Sequence, residues 1–478
     1  MNRDVLALLS KDELLDLLLA QETRHAAEIA ALTTRIAELE RRLDLNSRNS
    51  GKPPSSDGLK KPPRTRSLRE KSGRKPGGQK GHKGETLRQV AEPDTTVDHF
   101  PETCRRCGSA LTPAMATGYG ARQVFDLPAP RPLVVTEHRA HHCRCGKCGA
   151  ETGAWFPQRV TAPVQYGARI RAMVVYLSHF QLLPEDRLAE LMADLFGVAL
   201  VPATIARMRR GCAVRFRGVV DAIRERVKAA AVKHMDETGF RIGGRTQWLH
   251  IASTGLLTFY RVSAKRGSLL AGVIGIVVHD HWKPYYTMQG VLHALCNAHH
   301  LRELKALIEI EKEDWALRMQ RLLRRACHAA NLARERRRPL KPGLIALIER
   351  SYDAIVAEGI AFHEAQPPLG PPPGTRKRKG RRKRRIGHNL LLRLHDRRQD
   401  VLRFVTNLDV PFTNNQAEQD GRMMKLKQKI SGGFRSRQGA EDFAVIRSFI
   451  STARKQGWNV IQALMENPEI LSARLRTA

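Results

Sequence analysis

A chain of 478 residues with 82 Lys and Arg against 47 Asp and Glu has a net charge of +35. Its length allows about two to four domains with cores of their own, and its charge calls for a polyanionic partner, DNA foremost, with a ribosome-associated or merely well-solvated protein as the plainer alternative. Acids interrupt the opening stretch MNRDVLALLSKDELL where a secretory signal needs an apolar run, and the longest apolar run, Leu269 to Val278, is too short to span a bilayer. Eight cysteines without an export signal point to metal ligation rather than to disulfides.

In chain order, Ile29, Leu32, Ile36, Leu39 and Leu43 alternate spacings of three and four, an a/d seam that Leu15 and Leu18 extend backwards. A coiled coil from about Asp12 to Leu43 that pairs two protomers is expected, the alternative being an amphipathic helix docked on its own domain. The helix stops at NSRNSGKPPSSDG. A basic tether follows from Lys60 to Arg88, with eleven Lys and Arg against Glu70 and Glu85. Within it GRKPGGQKGHKG, including Arg74 and Lys75, alternates cations with glycines and could follow a DNA groove; a solvated linker is the bland reading.

Cys104-x-x-Cys107 and Cys145-x-x-Cys148, each followed by Gly, have the spacing of a zinc ribbon, because thiolates on two turns supply a tetrahedral set. Cys143 could take the place of Cys145, and His141 and His142 stand nearby. From Tyr166 to about Lys233 the pattern is helical. PEDRLAELMADLFG ends at a glycine suited to a C-cap, and VPATIARMRRG restarts a short basic helix with Arg207 and Arg210, which resembles a helix-turn-helix.

After Ala231 the hydrophobic period becomes two. VKHMD, WLHIAST and LLTFYRV read as three strands, with turns at Gly243–Gly244 and Thr254–Gly255. A helix around Ser268 to Val273 leads to GIVVHD, a fourth strand, and GVLHALC reads as a fifth. This is the order of an RNase H-like sheet, which brings Asp236 and Asp280 side by side at its carboxyl edge. Glu237 points to the opposite strand face, so only one of the two neighbours can join the site, and Asp236 shares its face with Val232 and His234. Glu418 opens a downstream helix that also carries Arg422 and Lys425, cations suited to phosphate. Asn415 three residues before it would instead make a capping box. Two strand-borne Asp and one helix-borne Glu are what a pair of Mg²⁺ ions requires for phosphoryl transfer.

DET, HDHWKPYY, HALCNAHHLREL, TNNQAEQDGR and KQKISGGFRS resemble the motifs of DDE transposases of the insertion-sequence sixty-six family, and the leucine-rich helix, NSxNSxKPPSSD, basic segment and zinc ribbon follow in the matching order. The resemblance implies a multidomain α+β chain with an RNase H-like α/β catalytic core whose triad is Asp236, Asp280 and Glu418, holding Mg²⁺ or Mn²⁺. It also implies a helical insertion within the 138-residue gap (418 minus 280). Cys296 and His299 match a Cys-x-x-His found after the second Asp in several such families; a packed Cys beside a helix-capping His is the plainer reading. Gln419 and Asp420 follow the Glu where family members often carry an Arg, which bears on the local charge. The insertion holds nine cations and one Gly from Arg376 to Arg385, expected to be disordered until it meets phosphate.

The expected division is a coiled-coil helix over 1–46, a basic disordered tether over 47–98 and a zinc ribbon with structural Zn²⁺ on Cys104, Cys107, Cys145 and Cys148 over 99–160. A helix-turn-helix-like DNA-binding domain over 161–231 follows. The core then occupies 232–305, a helical insertion 306–404, and the second part of the core with C-terminal helices 405–478. The implied activity is DNA cleavage and strand transfer, with a non-catalytic DNA-binding protein derived from a transposase as the alternative. Partners implied are the terminal inverted repeats and target DNA, a second copy in a homodimer or higher synaptic complex, and accessory proteins of the same element, with no membrane. The expected setting is the bacterial cytoplasm, at the nucleoid.

Overall fold

A computed structural model describes residues 10–44, 88–126, 133–367 and 384–477. Arg74, Lys75 and most of the Arg376–Arg385 run therefore lie outside the described residues. Chain contacts divide the molecule into one unit of Met1–Lys60, Thr136–Asp194 and Val198–Ala478, and a second of Lys61–Val135 with Leu195–Gly197.

The first unit opens with helix α1 (Lys11–Asp44). Its start is a capping box: the Ser10 backbone N–H and hydroxyl donate to the Glu13 carboxylate, and the Glu13 N–H donates back to Ser10 Oγ. The seam foreseen for pairing is bare in the single chain, with Ile29 65% and Leu32 61% exposed.

After the hairpin of β1 (His142–Arg144) and β2 (Glu151–Gly153), three helices lead to the sheet: α2 (Ala168–Val175, running on as a π-helical turn to Phe180), α3 (Glu185–Phe196) and α4 (Pro202–Ala229). Gly197, at φ +64°, ends α3 as anticipated, and the Val198 N–H returns to the Met192 carbonyl. Helix α4 differs from the expectation of a short basic helix: it runs through Gly211 for 28 residues. The reason lies in its second half, where Ala213, Phe216, Val219, Val220, Ile223 and Val227 form a continuous apolar face. That face shares one core with the sheet residues Met235, Ala252 and Val277.

The sheet comprises β3 (Val232–Ile242), β4 (Arg245–Ser253), β5 (Thr258–Ser263), β6 (Gly275–His279) and β7 (Val291–Leu295), in the order β5-β4-β3-β6-β7. The first three are antiparallel neighbours; β6 pairs parallel with β3, and β7 with β6. Gly243 and Gly244, both at positive φ, close the β3–β4 turn between the paired Ile242 and Arg245, the two-residue hairpin that strand twist favours. The helix expected over Ser268–Val273 is absent; turns occupy the segment, with Gly272 at φ +70°. Arg261 holds it by donating to the Leu269 carbonyl and to Ser268 Oγ.

Helix α5 (Asn297–Ala306) ends the stretch expected as the first part of the core, and α6 (Asp314–Glu335), α7 (Pro342–Glu364), α8 (Ile386–Asp396) and α9 (Arg398–Thr406) follow it. Helix α10 (Asn415–Ser431) then lies on the sheet face of Leu249, Ile251 and Tyr260, contributing Ala417, Met423 and Met424 to their core. Helix α11 (Arg437–Lys455) runs along edge strand β5. There Thr452 Oγ1 and Ser448 Oγ accept the otherwise unpaired N–H groups of Thr258 and Tyr260. Short helices α12 (Val460–Met465) and α13 (Pro468–Arg474) close the chain.

Candidate active site and metal-binding elements

Register brings the two aspartates together. His234 on β3 pairs with Val278 on β6 in the last rung of that ladder, so Asp236, two residues on, and Asp280, one residue past the end of β6, lie beyond the same edge of the pairing, close enough for Asp280 to raise the Asp236 pKa. Asp236 also faces Ile251 across β4. Helix α10 covers this face closely: a Cβ on Gly421 would lie 2.8 Å from Ile251 Cδ1. Glu418, one turn earlier on α10, belongs to the same cluster, since its charge, with those of Glu237 and Asp280, raises the Asp236 pKa. Burial is the larger cause, and together they push the Asp236 carboxyl up to about 8. Burial likewise raises Asp280, while the Trp282 N–H, which donates to its Oδ1 at 3.0 Å, opposes the rise.

Asn414 fixes α10 to the sheet. Its Oδ1 lies 2.9 Å from His234 Nδ1, its Nδ2 donates to the Met235 carbonyl at 2.8 Å, and its backbone N–H donates to Cys296 Sγ at 3.1 Å. The cap of α10 is thus Asn414, with its side chain turned to β3, and Asn415 and Glu418 form no capping box. Glu418 is left with Cys296 Sγ, 3.9 Å from its Oε1. Asp420, the departure noted in the sequence, is neutralised by Lys455 Nζ at 2.7 Å.

Glu237 points away from Asp236, as alternation requires, yet has its own place at the site. Arg266 donates to its Oε1 from Nε and Nη2 at 2.9 and 2.7 Å, and Tyr285 Oη donates to its Oε2 at 2.7 Å. The guanidinium lies over Trp282 at 4.2 Å and near Trp248 at 5.1 Å. It is close enough to Asp280 to lower that carboxyl's pKa. Around Asp280, burial depresses the imidazoles of His279 and His281 to about 3 and 4, so both are neutral at pH 7. Glu237 and Asn414 carry one signal in the sequence, adjacency to the candidate residues in DET and TNN, whereas Arg266 lies in neither motif and has none.

Among the described residues, Cys296, His299 and Glu418 bring ligand atoms within 4.8 Å of one another. A cavity of about 250 Å³ opens onto Asp280, Trp282, Cys296, His299 and Arg393. A larger one, about 460 Å³ between Tyr176, Phe180, Arg454 and Trp458, is lined by none of the carboxylates.

The foreseen phosphate-binding cations are distributed differently. Arg422 is exposed on α10, and Lys425 donates to the Gly239 carbonyl at 2.9 Å. Arg207 and Arg210 are exposed on the first turns of α4, while Arg209 between them pairs with Glu185.

The cysteine pairs form two turns of the same kind. In one, the Cys104 N–H donates to Ser109 O and the Gly108 N–H to Cys104 O, both at 2.8 Å. In the other, the Cys145 N–H donates to Ala150 O at 2.8 Å and the Gly149 N–H to Cys145 O at 2.9 Å. Gly108 and Gly149 take φ +76° and +74°. This correspondence matches Cys145 to Cys104 and Cys148 to Cys107, and leaves Cys143 outside the turn, on β1. Local donors lower the thiol pKa of Cys107, Ser109 first, and of Cys145, the Cys148 N–H first.

None of the curated proteins compared matches the chain. Residues 9–88 match a family of unknown function (DUF6444). Residues 163–442, more than half of the chain and the whole of the carboxylate cluster, match the Transposase IS66 family, to which the chain belongs.

Proposed function

We propose that the chain is a metal-dependent DNA transposase that cleaves the ends of its element and joins them to target DNA on an RNase H-like sheet. The observation that carries this reading is the approach of Asp236 on β3 and Asp280, just past the end of the neighbouring parallel strand β6, with Glu418 of α10 in the same cluster. Three mutually repelling carboxylates at the end of a sheet are costly without counter-charge, and their oxygen donors suit a hard divalent cation. Asp236, Asp280 and Glu418 would hold Mg²⁺ or Mn²⁺, which when bound supplies Lewis acidity and charge neutralisation for phosphoryl transfer.

The chain's own residues then have defined tasks. Asn414 holds the α10 end against β3, which keeps Glu418 at the aspartates. Arg266, held by Glu237 and two tryptophans, is a positioned cation beside Asp280 for a DNA phosphate. Arg422, Arg207 and Arg210, all exposed, grip the DNA backbone and make affinity fall steeply with salt. Each cysteine turn offers two thiolates to structural Zn²⁺, on Cys104 and Cys107 and on Cys145 and Cys148. The bare seam of α1 pairs two copies, so that two DNA ends meet two sites; sedimentation as a monomer would remove that part.

The test is incubation of the purified protein with labelled DNA from the edges of its element and Mg²⁺ or Mn²⁺, beside Asp280→Asn. Wild-type nicking at the boundary, reduced about a thousandfold or more in the variant while DNA binding persists, is expected. Equal cleavage by the variant overturns the reading. Site-selective binding without cleavage by the wild type, with accessory proteins of the element supplied, favours the non-catalytic alternative.

A further inference from the structure

Glu418 faces two neighbours that no magnesium site needs. Cys296 is fully buried at the start of α5, and His299 lies one turn into that helix. Their ligand atoms and a carboxylate oxygen of Glu418 lie within 4.8 Å of one another. The Cys296 Sγ to Glu418 Oε1 distance of 3.9 Å is close to the separation of about 3.5 Å that Zn–S and Zn–O bonds of about 2.3 and 2.0 Å make at a tetrahedral angle. Two further observations point to a ligand. His299 Nδ1 is buried without a hydrogen-bond partner. The sulfur already accepts the Asn414 N–H at 3.1 Å, the outer hydrogen bond that a thiolate ligand wants. The cavity shared with Asp280 leaves the group accessible for a fourth donor, water or phosphate oxygen.

We propose that Cys296, His299 and Glu418 form a mixed sulfur–nitrogen–oxygen site for a divalent transition metal, Zn²⁺, Co²⁺ or Mn²⁺, at one end of the carboxylate cluster. Three protein ligands and an open position are the pattern of catalytic rather than structural zinc sites. Soft donors select against Mg²⁺, which wants six oxygens. Joined to the transposase reading, on which this consequence rests, the shared Glu418 makes the cluster asymmetric, with one oxygen-only end and one that prefers transition metals.

The experiment titrates Co²⁺ into metal-free full-length protein in which Cys104, Cys107, Cys145 and Cys148 are replaced by Ser to silence the cysteine turns, the rest of the chain being wild type or carrying Cys296→Ser, His299→Ala or Asp280→Asn. A thiolate-to-cobalt charge-transfer band is expected in wild type and Asp280→Asn. Cys296→Ser should lose it, and His299→Ala should bind Co²⁺ about tenfold or more weakly. No cobalt band in the wild type, or the same band and affinity in all four proteins, overturns the proposal and leaves Cys296 as a thiol that only positions Asn414 and Glu418. Should Cys296→Ser fail to fold by circular dichroism, His299→Ala, whose ring is only part-buried, decides through its affinity. A cobalt band without DNA cleavage in any metal, with accessory proteins of the element supplied, would remove the transposase reading and keep the metal site. Cleavage that favours Mn²⁺ over Mg²⁺ in the wild type, with the ratio reduced severalfold in Cys296→Ser, supports both.

Discussion

The cysteine turns and the carboxylate cluster place ionisable ligands in opposite environments. In the turns the thiols of Cys107, Cys145 and Cys148 are exposed, and every donor that acts on Cys107 or Cys145 is within three residues along the chain. In the sheet, Cys296 is buried; desolvation first, then Glu418, pushes its thiol up to about 12. Its neighbours come from far along the chain: Asn414 and Glu418 are 118 and 122 residues away. The difference separates two ways of making a site. A local turn prepares its ligands by itself but brings almost no core to hold them. A site assembled by tertiary contacts is held in shape before any ion arrives, at the cost of burying like charges.

Removal of zinc should break this comparison most visibly. Around the turns, large side chains such as Tyr119, Val124, Val134 and Trp155 are 91–95% exposed, so little apolar burial stabilises these segments. A zinc-selective chelator is expected to make the chain near Cys104 and Cys145 fully protease-sensitive while residues 232–295 and 415–455 stay resistant. Limited proteolysis read by mass spectrometry checks this. Equal resistance with and without chelator would mean that the turns do not depend on metal.

Asn414→Ala tests the tertiary half. The substitution removes the donor to the Met235 carbonyl and the partner of His234, leaving buried polar groups unpaired at a cost of about 1–3 kcal/mol each. The chain should still fold, because the α10 face of Ala417, Met423 and Met424 is untouched. Cleavage should fall about ten- to a hundredfold through misplacement of Glu418, with DNA affinity unchanged. Wild-type turnover in a folded Asn414→Ala protein would show that Glu418 needs no such anchor.

The sheet could be read from the sequence because its signals are local. Period-two runs gave all five strands, and paired glycines at 243 and 244 gave the tightest turn. Asp236, Asp280 and Glu418 stood out as acids ending or opening apolar elements, and the fold brings them together. Two local readings failed for physical reasons. VPATIARMRRG read as a short basic helix, but the helix runs on past Gly211, which is exposed while the opposite face is packed into the core, where tertiary burial outweighs glycine's poor propensity. Ser268–Val273 read as a helix, but Gly267, Gly272 and Gly275 crowd it, the last two at positive φ. Partnerships were beyond reach. Nothing in DET says that Glu237 will meet Arg266, or in TNN that Asn414 will meet His234 across 180 residues.

The smallest expected effect concerns the charge stored at the site. Burial and then Glu237, with smaller additions from Asp280 and Glu418, lift the Asp236 carboxyl from its ordinary 3.8 to about 8, although the Glu237 N–H donates to Oδ1 at 2.9 Å. In metal-free protein the folded state therefore keeps, between about pH 4 and pH 8, a proton that the unfolded chain has lost, so stability falls as pH rises through that window and levels off above it. Asp236→Asn carries no such charge. It should melt with the wild type near pH 4 and above it by pH 8, by about 2–4 °C for each kcal/mol of repulsion relieved. Mg²⁺ should raise the wild-type melting temperature at pH 8, where the ion takes over from the proton, and shift the variant less. Melting curves in chelator and in Mg²⁺ across pH 4–9 measure both. A variant that melts below the wild type at pH 8 in chelator would mean that the aspartate stabilises the fold through packing rather than straining it, and that repulsion within the cluster is not what draws a cation to it.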